Sequence, residues 1–429
     1  MADSNNPDLL AGIDDIDWAK LEHAYGSADD VPEIIRRLRS NDENELDNVY
    51  FALCSNILHQ GSRYEATAYA VPFLYALLDA KDTPSRDRLL QYMINVAVGS
   101  TSFRVPSGVD IARWRDIVAE TQQPGYVEEE ERKKREYIAA ATDEQDRERR
   151  EGEFLFKKSP ERYAAMNLYE LRAYDAVREG LDSVYQCLKD EDATLRGMAA
   201  YGLAFFPEEG EKAETALFTL LKHEEDATVS ATALISLAML HAPSSGDLSQ
   251  TPVARYLRTY FHKEGTDQLC NWSCAIALAI LRIYETEYIE IILRKITDEA
   301  YLSSLQAEDF IKFPFAYPDL ESLAASVLKV KGSEFPQAVQ AAIDQIEDSK
   351  GQMTWFLVDL ALSAAFDQVP QKEAPPFSQL TDLQKQAVRS LAKVERSNWN
   401  ILNFIRLLDE WGIPSDRNKF DAYIEGASS

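Results

Sequence analysis

Two stretches decide the fold of this chain: DATLRGMAAYGLAFF at 192–206 and DATVSATALISLAML at 226–240. They align with Asp192 on Asp226, a repeat of 34 residues. Leu195, Ala199, Leu203 and Phe206 of the first copy fall on Val229, Ala233, Leu237 and Leu240 of the second. Steps of four, four and three residues draw one apolar stripe along a helix. An amphipathic run ending in charge precedes each copy, VYQCLKDED at 184–192 and ALFTLLKHEED at 216–226. The unit therefore reads helix, short acidic turn, helix. One such pair cannot bury its apolar face alone, so neighbouring pairs must stack.

A second, looser repeat sets VPEIIRRLRSND (31–42) against VPFLYALLDAKD (71–82), 40 residues apart. Pro32 and Pro72 are expected in the first turn of their helices, where a missing amide costs nothing. Spacings of 34 and 40 belong to arrays of helical pairs, and the W-x-x-L-G-x-x-Y pattern of tetratricopeptide units is absent. The tract LKDEDATLRGMAAYGLAFFP (188–207) resembles a HEAT repeat. IDWAKLEHAYGSADDVP (16–32), NILHQGSRYEATAYAVPFL (56–74), LRAYDAVREGL (171–181), LTDLQKQAVRSLAKVE (380–395) and WNILNFIRLLDEWGIPSD (399–416) are similar to segments of a group of HEAT-repeat (armadillo-type) proteins of uncharacterised role. The resemblance spans most of the chain and implies an all-α, HEAT-like α-solenoid of stacked antiparallel helix pairs, an α-α superhelix. It brings no catalytic motif with it. A closed α/α toroid is the structural alternative.

The expected organisation is N-terminal helical pairs over 1–99, a charged helical insertion over 100–160, a central array over 161–366, a linker at 367–379 and C-terminal capping helices over 380–429. The insertion centres on EEEERKKREYIAAATDEQDRERREGE (128–153), whose opposite charges three or four apart support an exposed helix. In the second half, helices are expected at 252–263 with 268–284, 286–297 with 317–330, and 334–348 with 351–366. The linker DQVPQKEAPPFSQ is polar and proline-bearing.

Seventy-two acidic against 45 basic side chains leave a net charge of −27, which repels nucleic-acid backbone and anionic membranes. Hydrophobic residues at 45% are ample for a packed interior. Cys54, Cys187, Cys270 and Cys274 form no C-x-x-C pair and no disulfide framework, which fits a reducing, cytoplasmic compartment. The stretch MADSNNPDLLAGIDDIDW carries no basic segment followed by an apolar core. His23, His59, His223, His241 and His262 show none of the usual metal-ligand spacings, so no metal is expected, and no cofactor either. Cys270 and Cys274, one helical turn apart, read as small core residues, and Trp272, Trp399 and Trp411 as core fillers. Asp14, Asp15 and Asp17 read as caps of a first helix or as charges that keep it soluble. Dinucleotide, P-loop, hydrolase-elbow and zinc-protease motifs are all absent.

The most unusual tract is HQGSRYEAT (59–67), which packs an imidazole, an amide, a guanidinium, a phenol, a carboxylate and a hydroxyl beside Gly61. His59, Gln60, Arg63, Tyr64 and Glu65 are the candidate ligand-binding residues. His59 or Glu65 has acid–base capacity, and Arg63 with Tyr64 suits an anionic or polar ligand. The structural alternative makes Gly61 a helix end, Ser62 the next N-cap, Glu65 its capping box and His59 a last-turn residue. Two functions follow. The first is a scaffold or adaptor binding a protein or peptide, a basic one by charge, on a concave acidic face. The second is an enzyme or small-ligand protein with its site near 59–67. Some HEAT-like proteins resemble DNA-base glycosylases and others bilin-attachment lyases; a glycosylase needs a cationic groove that this charge does not favour.

Overall fold

The computed structural model describes residues 9–155, 157–297, 313–316 and 320–426. The first eight residues of the N-terminal stretch and the start of the expected 317–330 helix lie outside them. The chain is all-α: the described residues form 21 α-helices, and their only strands are two antiparallel pairs of two residues each. Its contacts fall into two units, Met1–Arg104 with Val109–Gly210, and Val105–Gly108 with Glu211–Ser429. The division at Gly210 lies inside the stretch expected as one central array.

In the first unit, strands β1 (Glu22–His23) and β2 (Gly26–Ser27) precede helices α1 (Val31–Arg37) and α2 (Glu43–Asn56). Strands β3 (Leu58–His59) and β4 (Ser62–Arg63) then lead into α3 (Glu65–Asp79) and α4 (Arg86–Val98). The insertion supplies α5 (Ile111–Thr121), α6 (Tyr126–Ala139) and α7 (Glu144–Gly152). The unit closes with α8 (Pro160–Glu179), α9 (Leu181–Cys187) and α10 (Ala193–Leu203). Helix α8, 20 residues long, packs on α3, α4 and α5 at once. It is stapled there by Arg115, which forks onto Asp175 at 2.7 and 3.2 Å and reaches Glu208 at 3.0 and 3.1 Å. Helices α6 and α7 bury no residue and instead carry ladders of surface pairs, such as Arg132 with Glu129 and Glu136. Such pairs contribute only a few tenths of a kcal/mol each, about 0.3.

The second unit runs through α11 (Gly210–His223), α12 (Ala227–Met239), α13 (Pro252–Phe261), α14 (Gln268–Ile280), α15 (Thr286–Thr297), α16 (Leu320–Val327), α17 (Pro336–Ile346) and α18 (Gln352–Ala365). Three shorter helices follow, α19 (Asp382–Ser390), α20 (Leu402–Glu410) and α21 (Arg417–Ile424). Alternate helices touch: α12 meets α14, α14 meets α16, α16 meets α18 and α18 meets α20, while α15 meets α17 and α17 meets α19. These contacts form two series, one of even-numbered and one of odd-numbered helices. Every residue of α12 from Thr228 to Met239 is buried, whereas α13 buries only Val253, Ala254, Leu257 and Phe261 on one face. A helix with neighbours on several sides must be apolar all round; one at the boundary needs a single stripe.

Both helices of the 34-residue repeat carry an aspartate cap and the buried stripe that the pattern predicts. Asp192 and Asp226 are both N-caps, each accepting a backbone N–H two residues on, from Thr194 and Thr228, at 2.8 Å. Asp42 and Asp267 cap α2 and α14 in the same way. The stripe residues from Leu195 to Phe206 and from Val229 to Leu240 are at most 5% exposed. A fully buried leucine of this kind contributes roughly 1.5–3 kcal/mol. The 40-residue repeat needs correction. Pro32 does lie in the first turn of α1, but Pro72 lies inside α3. Helix α3 begins earlier, at Glu65, because the β3–β4 hairpin delivers the chain to it there, so VPFLYALLD is its second half. The Asp14–Asp17 stretch also departs from the capping expectation. It forms two single 3-10 turns, and Asp14 pairs with Arg36 at 2.6 Å instead of capping.

Candidate functional site

The tract 59–67 is not a helix end followed by an N-cap. Helix α2 stops at Asn56, and Leu58–His59 pairs with Ser62–Arg63 across a two-residue turn. Gln60 (φ 50°) and Gly61 (φ 78°) both take positive φ, the geometry that matches the twist of a tight hairpin. Glycine adopts it without steric cost, and Gln60 accepts some strain beside it. The N-cap of α3 is consequently Tyr64, not Ser62, and Glu65 is the first helical residue. Thr67 fastens this junction: the Tyr64 amide donates to Thr67 Oγ1 at 2.8 Å, and that hydroxyl donates to the Ile57 carbonyl at 2.6 Å. Thr67 is fully buried. Thr67→Val keeps its volume and removes both bonds, stranding two polar groups. The expected result is a loss of about 2 kcal/mol in a urea titration, with Thr67→Ser retaining most of the stability.

The β1–β2 hairpin lies beside β3–β4. The Ala24 amide donates to the Asn56 carbonyl at 3.1 Å, and the rings of Tyr25 and His59 meet edge to face at 5.4 Å. His23 is the pin of its own hairpin. Its Nδ1 accepts from the Tyr25 amide at 3.0 Å, which leaves Nε2 to donate to Asp30 at 3.1 Å. Asn56 holds the other Asp30 oxygen at 2.6 Å. Locked in this way, the hairpin displays Tyr25, 69% exposed. Burial raises the Tyr64 phenol, Arg162 opposes that, and the neighbouring Tyr25 and Glu170 add to it. Burial likewise raises Tyr169 on α8, with Glu65 and Glu22 adding to it. The Tyr25 and His59 rings thus meet on the hairpins with Tyr64 near Tyr25, while Tyr169 on α8 lies near Glu65 and Glu22.

Arg63 turns the other way. It is 2% exposed, and only Nη1 finds an acceptor, the Gly61 carbonyl at 2.5 Å. Nε and Nη2 are shielded from solvent and donate to no acceptor. Glu170 Oε2 stands 3.5 Å from Nη2, a Coulombic partner rather than a hydrogen-bonded one. The guanidinium lies over the Trp114 ring at 5.5 Å, and Arg104 lies over the same indole at 5.8 Å. Burial pushes the Arg63 guanidinium down to about 10, Glu170 resisting and Arg104 assisting, so it stays charged at neutral pH. Gly99 makes the space: a Cβ there would stand 2.7 Å from Arg63 Nη1 and 2.8 Å from the Gly61 oxygen.

The five candidate residues therefore divide. His59, Tyr64 and Glu65 are partly exposed, Gln60 is exposed at the turn, and Arg63 is buried. Sequence reasoning missed Tyr25, Arg104, Trp114, Tyr169 and Glu170. The one available signal for the first of these was the partial likeness of HAYGS (23–27) to HQGS (59–62). Elsewhere, Cys270 and Cys274 are buried, with burial pushing the Cys270 thiol up to about 12, and Trp272, Trp399 and Trp411 are buried as well. His241 and His262 each lie against a glutamate, at 2.9 and 3.4 Å. No helix among the described residues is long and apolar enough to cross a membrane. No family model, curated protein or solved structure matches the chain.

Proposed function

We propose that this chain is a protein- or peptide-binding scaffold built as a HEAT-like α-solenoid, and that it engages its partner through the paired-hairpin face of the first unit. The observation that carries the reading is the exposed Tyr25 ring set edge-on to His59, with Tyr64 close by. Tyrosine supplies large contact area for little lost rotamer freedom, which is why it concentrates at binding hot spots. Here the backbone hairpins already hold the rings in place, so little ordering remains to oppose binding. The HEAT-like assignment draws support from the alternate-helix contacts in the second unit and from the repeated aspartate caps. Glu22, Glu65 and Glu170 around the rings, with a net charge of −27, favour a basic partner by steering its approach.

The test begins with tagged full-length chain passed over its own cell extract. Its stoichiometric partner is identified, purified and titrated against wild type and the Tyr25→Ser/His59→Ala variant. The expected result is affinity weakened about 100-fold, the scale of a hot-spot pair, with an unchanged melting temperature and association that slows with added salt. A partner that binds the variant as tightly as wild type would remove the hairpin face from the reading.

A further inference from the structure

We infer that Arg63, Arg104 and Trp114 form a receptor for a single small oxyanion group, a carboxylate or a phosphate, held by the side-on fork of Arg63. The inference is independent of the protein-binding reading. Nε and Nη2 of an arginine present parallel N–H bonds, and that edge of the guanidinium matches two oxygens of one carboxylate or phosphate. In this chain it is that edge which lacks acceptors, while Nη1 is spent on Gly61. Leaving a desolvated guanidinium with two unused donors is costly in the free protein, and an oxyanion that accepts from both recovers the cost.

Three further features point to an anion. Arg104 places a second guanidinium on the same indole, while Arg63 has one carboxylate, Glu170, at 3.5 Å. Trp114 is 9% exposed and forms an apolar wall, which strengthens charge interactions beside it. The Gly99 backbone, with φ at 83° and no side chain, leaves the guanidinium room where any Cβ would strike it. Glu170 is the gate in this arrangement. Its side chain is 21% exposed and stops 3.5 Å short of Nη2. An incoming oxyanion takes the fork and Glu170 gives way to solvent.

Glu170 also supplies the decisive test, because the competing account makes it the fork's own partner. Full-length wild type, Glu170→Gln and Arg104→Met are titrated calorimetrically at constant ionic strength with inorganic phosphate, sodium acetate, and N-acetyl-dialanine as free acid or amide. The inference expects saturable binding of at least one oxyanion with a dissociation constant of about 1 mM or below. Glu170→Gln should tighten it about threefold by removing a repelling charge, and Arg104→Met should weaken it about fivefold. Preference for phosphate assigns a phosphoryl ligand; preference for acetate and the free-acid peptide over its amide assigns a carboxylate. Absence of saturable binding by every anion to wild type and to Glu170→Gln overturns the inference. So does a Glu170→Gln protein that loses stability and that no anion restores, since Glu170 would then be the partner Arg63 requires.

Discussion

Gly180→Ala is expected to destabilise the first unit by about 3 kcal/mol, at the upper end of the usual cost of overpacking. The reason is a contact that no side chain can share. A Cβ on Gly180 would stand 2.1 Å from Tyr75 Cε2 and within 2.5 Å of two more ring atoms. The ring has nowhere to go: Tyr75 is 8% exposed, and its hydroxyl donates to the Val177 carbonyl at 2.6 Å, one turn before Gly180. The backbone itself is no obstacle, because Gly180 has φ at −95°, which alanine accepts. The effect should therefore vanish with the ring. In a Tyr75→Ala background, Gly180→Ala should cost less than about 1 kcal/mol, so the double-mutant cycle gives a coupling of about 2 kcal/mol. Equal costs in the two backgrounds would mean that α3 and α8 do not approach as closely as described.

Gly99→Ala should have a comparable effect on stability, about 3 kcal/mol, from two sources: a positive-φ conformation that side chains disfavour, at about 1–3 kcal/mol, and steric pressure on Arg63 Nη1 and the Gly61 oxygen, at about 1–3 kcal/mol. Its second consequence distinguishes it from Gly180→Ala. Displacing Gly61 and the Arg63 fork should abolish oxyanion binding even below the melting temperature, whereas Gly180→Ala, remote from the hairpins, should leave it intact at temperatures where the chain is folded. Circular dichroism melts paired with anion titration separate the two. Binding retained by a folded Gly99→Ala protein would show that the fork is not held by this contact.

How much of this was legible beforehand follows from which forces act locally. The stripes from Leu195 to Phe206 and from Val229 to Leu240, and the aspartates that cap them, are written in consecutive residues. Helical periodicity and capping chemistry suffice to find them. The all-helical class follows from such segments repeated along the chain. The hairpins were hidden because strands of two residues carry no periodicity, and Gln60-Gly61 is a weaker turn signal than the usual asparagine or aspartate before glycine. Missing β3 and β4 moved the start of α3, and with it the place assigned to Pro72.

The candidate tract itself stood out by composition, since HQGSRYEAT mixes so many polar functions in so few residues. Its division into a surface group and a buried arginine could not be read locally. Arginine is ordinarily exposed, and the groups that define Arg63's surroundings, Gly99, Arg104, Trp114 and Glu170, come from distant parts of the chain. Tyr25 was passed over for a similar reason, because its proximity to His59 is created by the Ala24–Asn56 hydrogen bond that sets the hairpins side by side.

The central proposal is that the chain binds a protein or peptide partner and does so through the paired hairpins of the first unit. Hydrogen exchange on the full-length chain, free and saturated with the purified partner, tests it most directly. The account predicts new protection over residues 22–27 and 58–64 and on α8 around Tyr169, with exchange elsewhere unchanged. Protection confined to the second unit, with both hairpins exchanging as in the free chain, would contradict it.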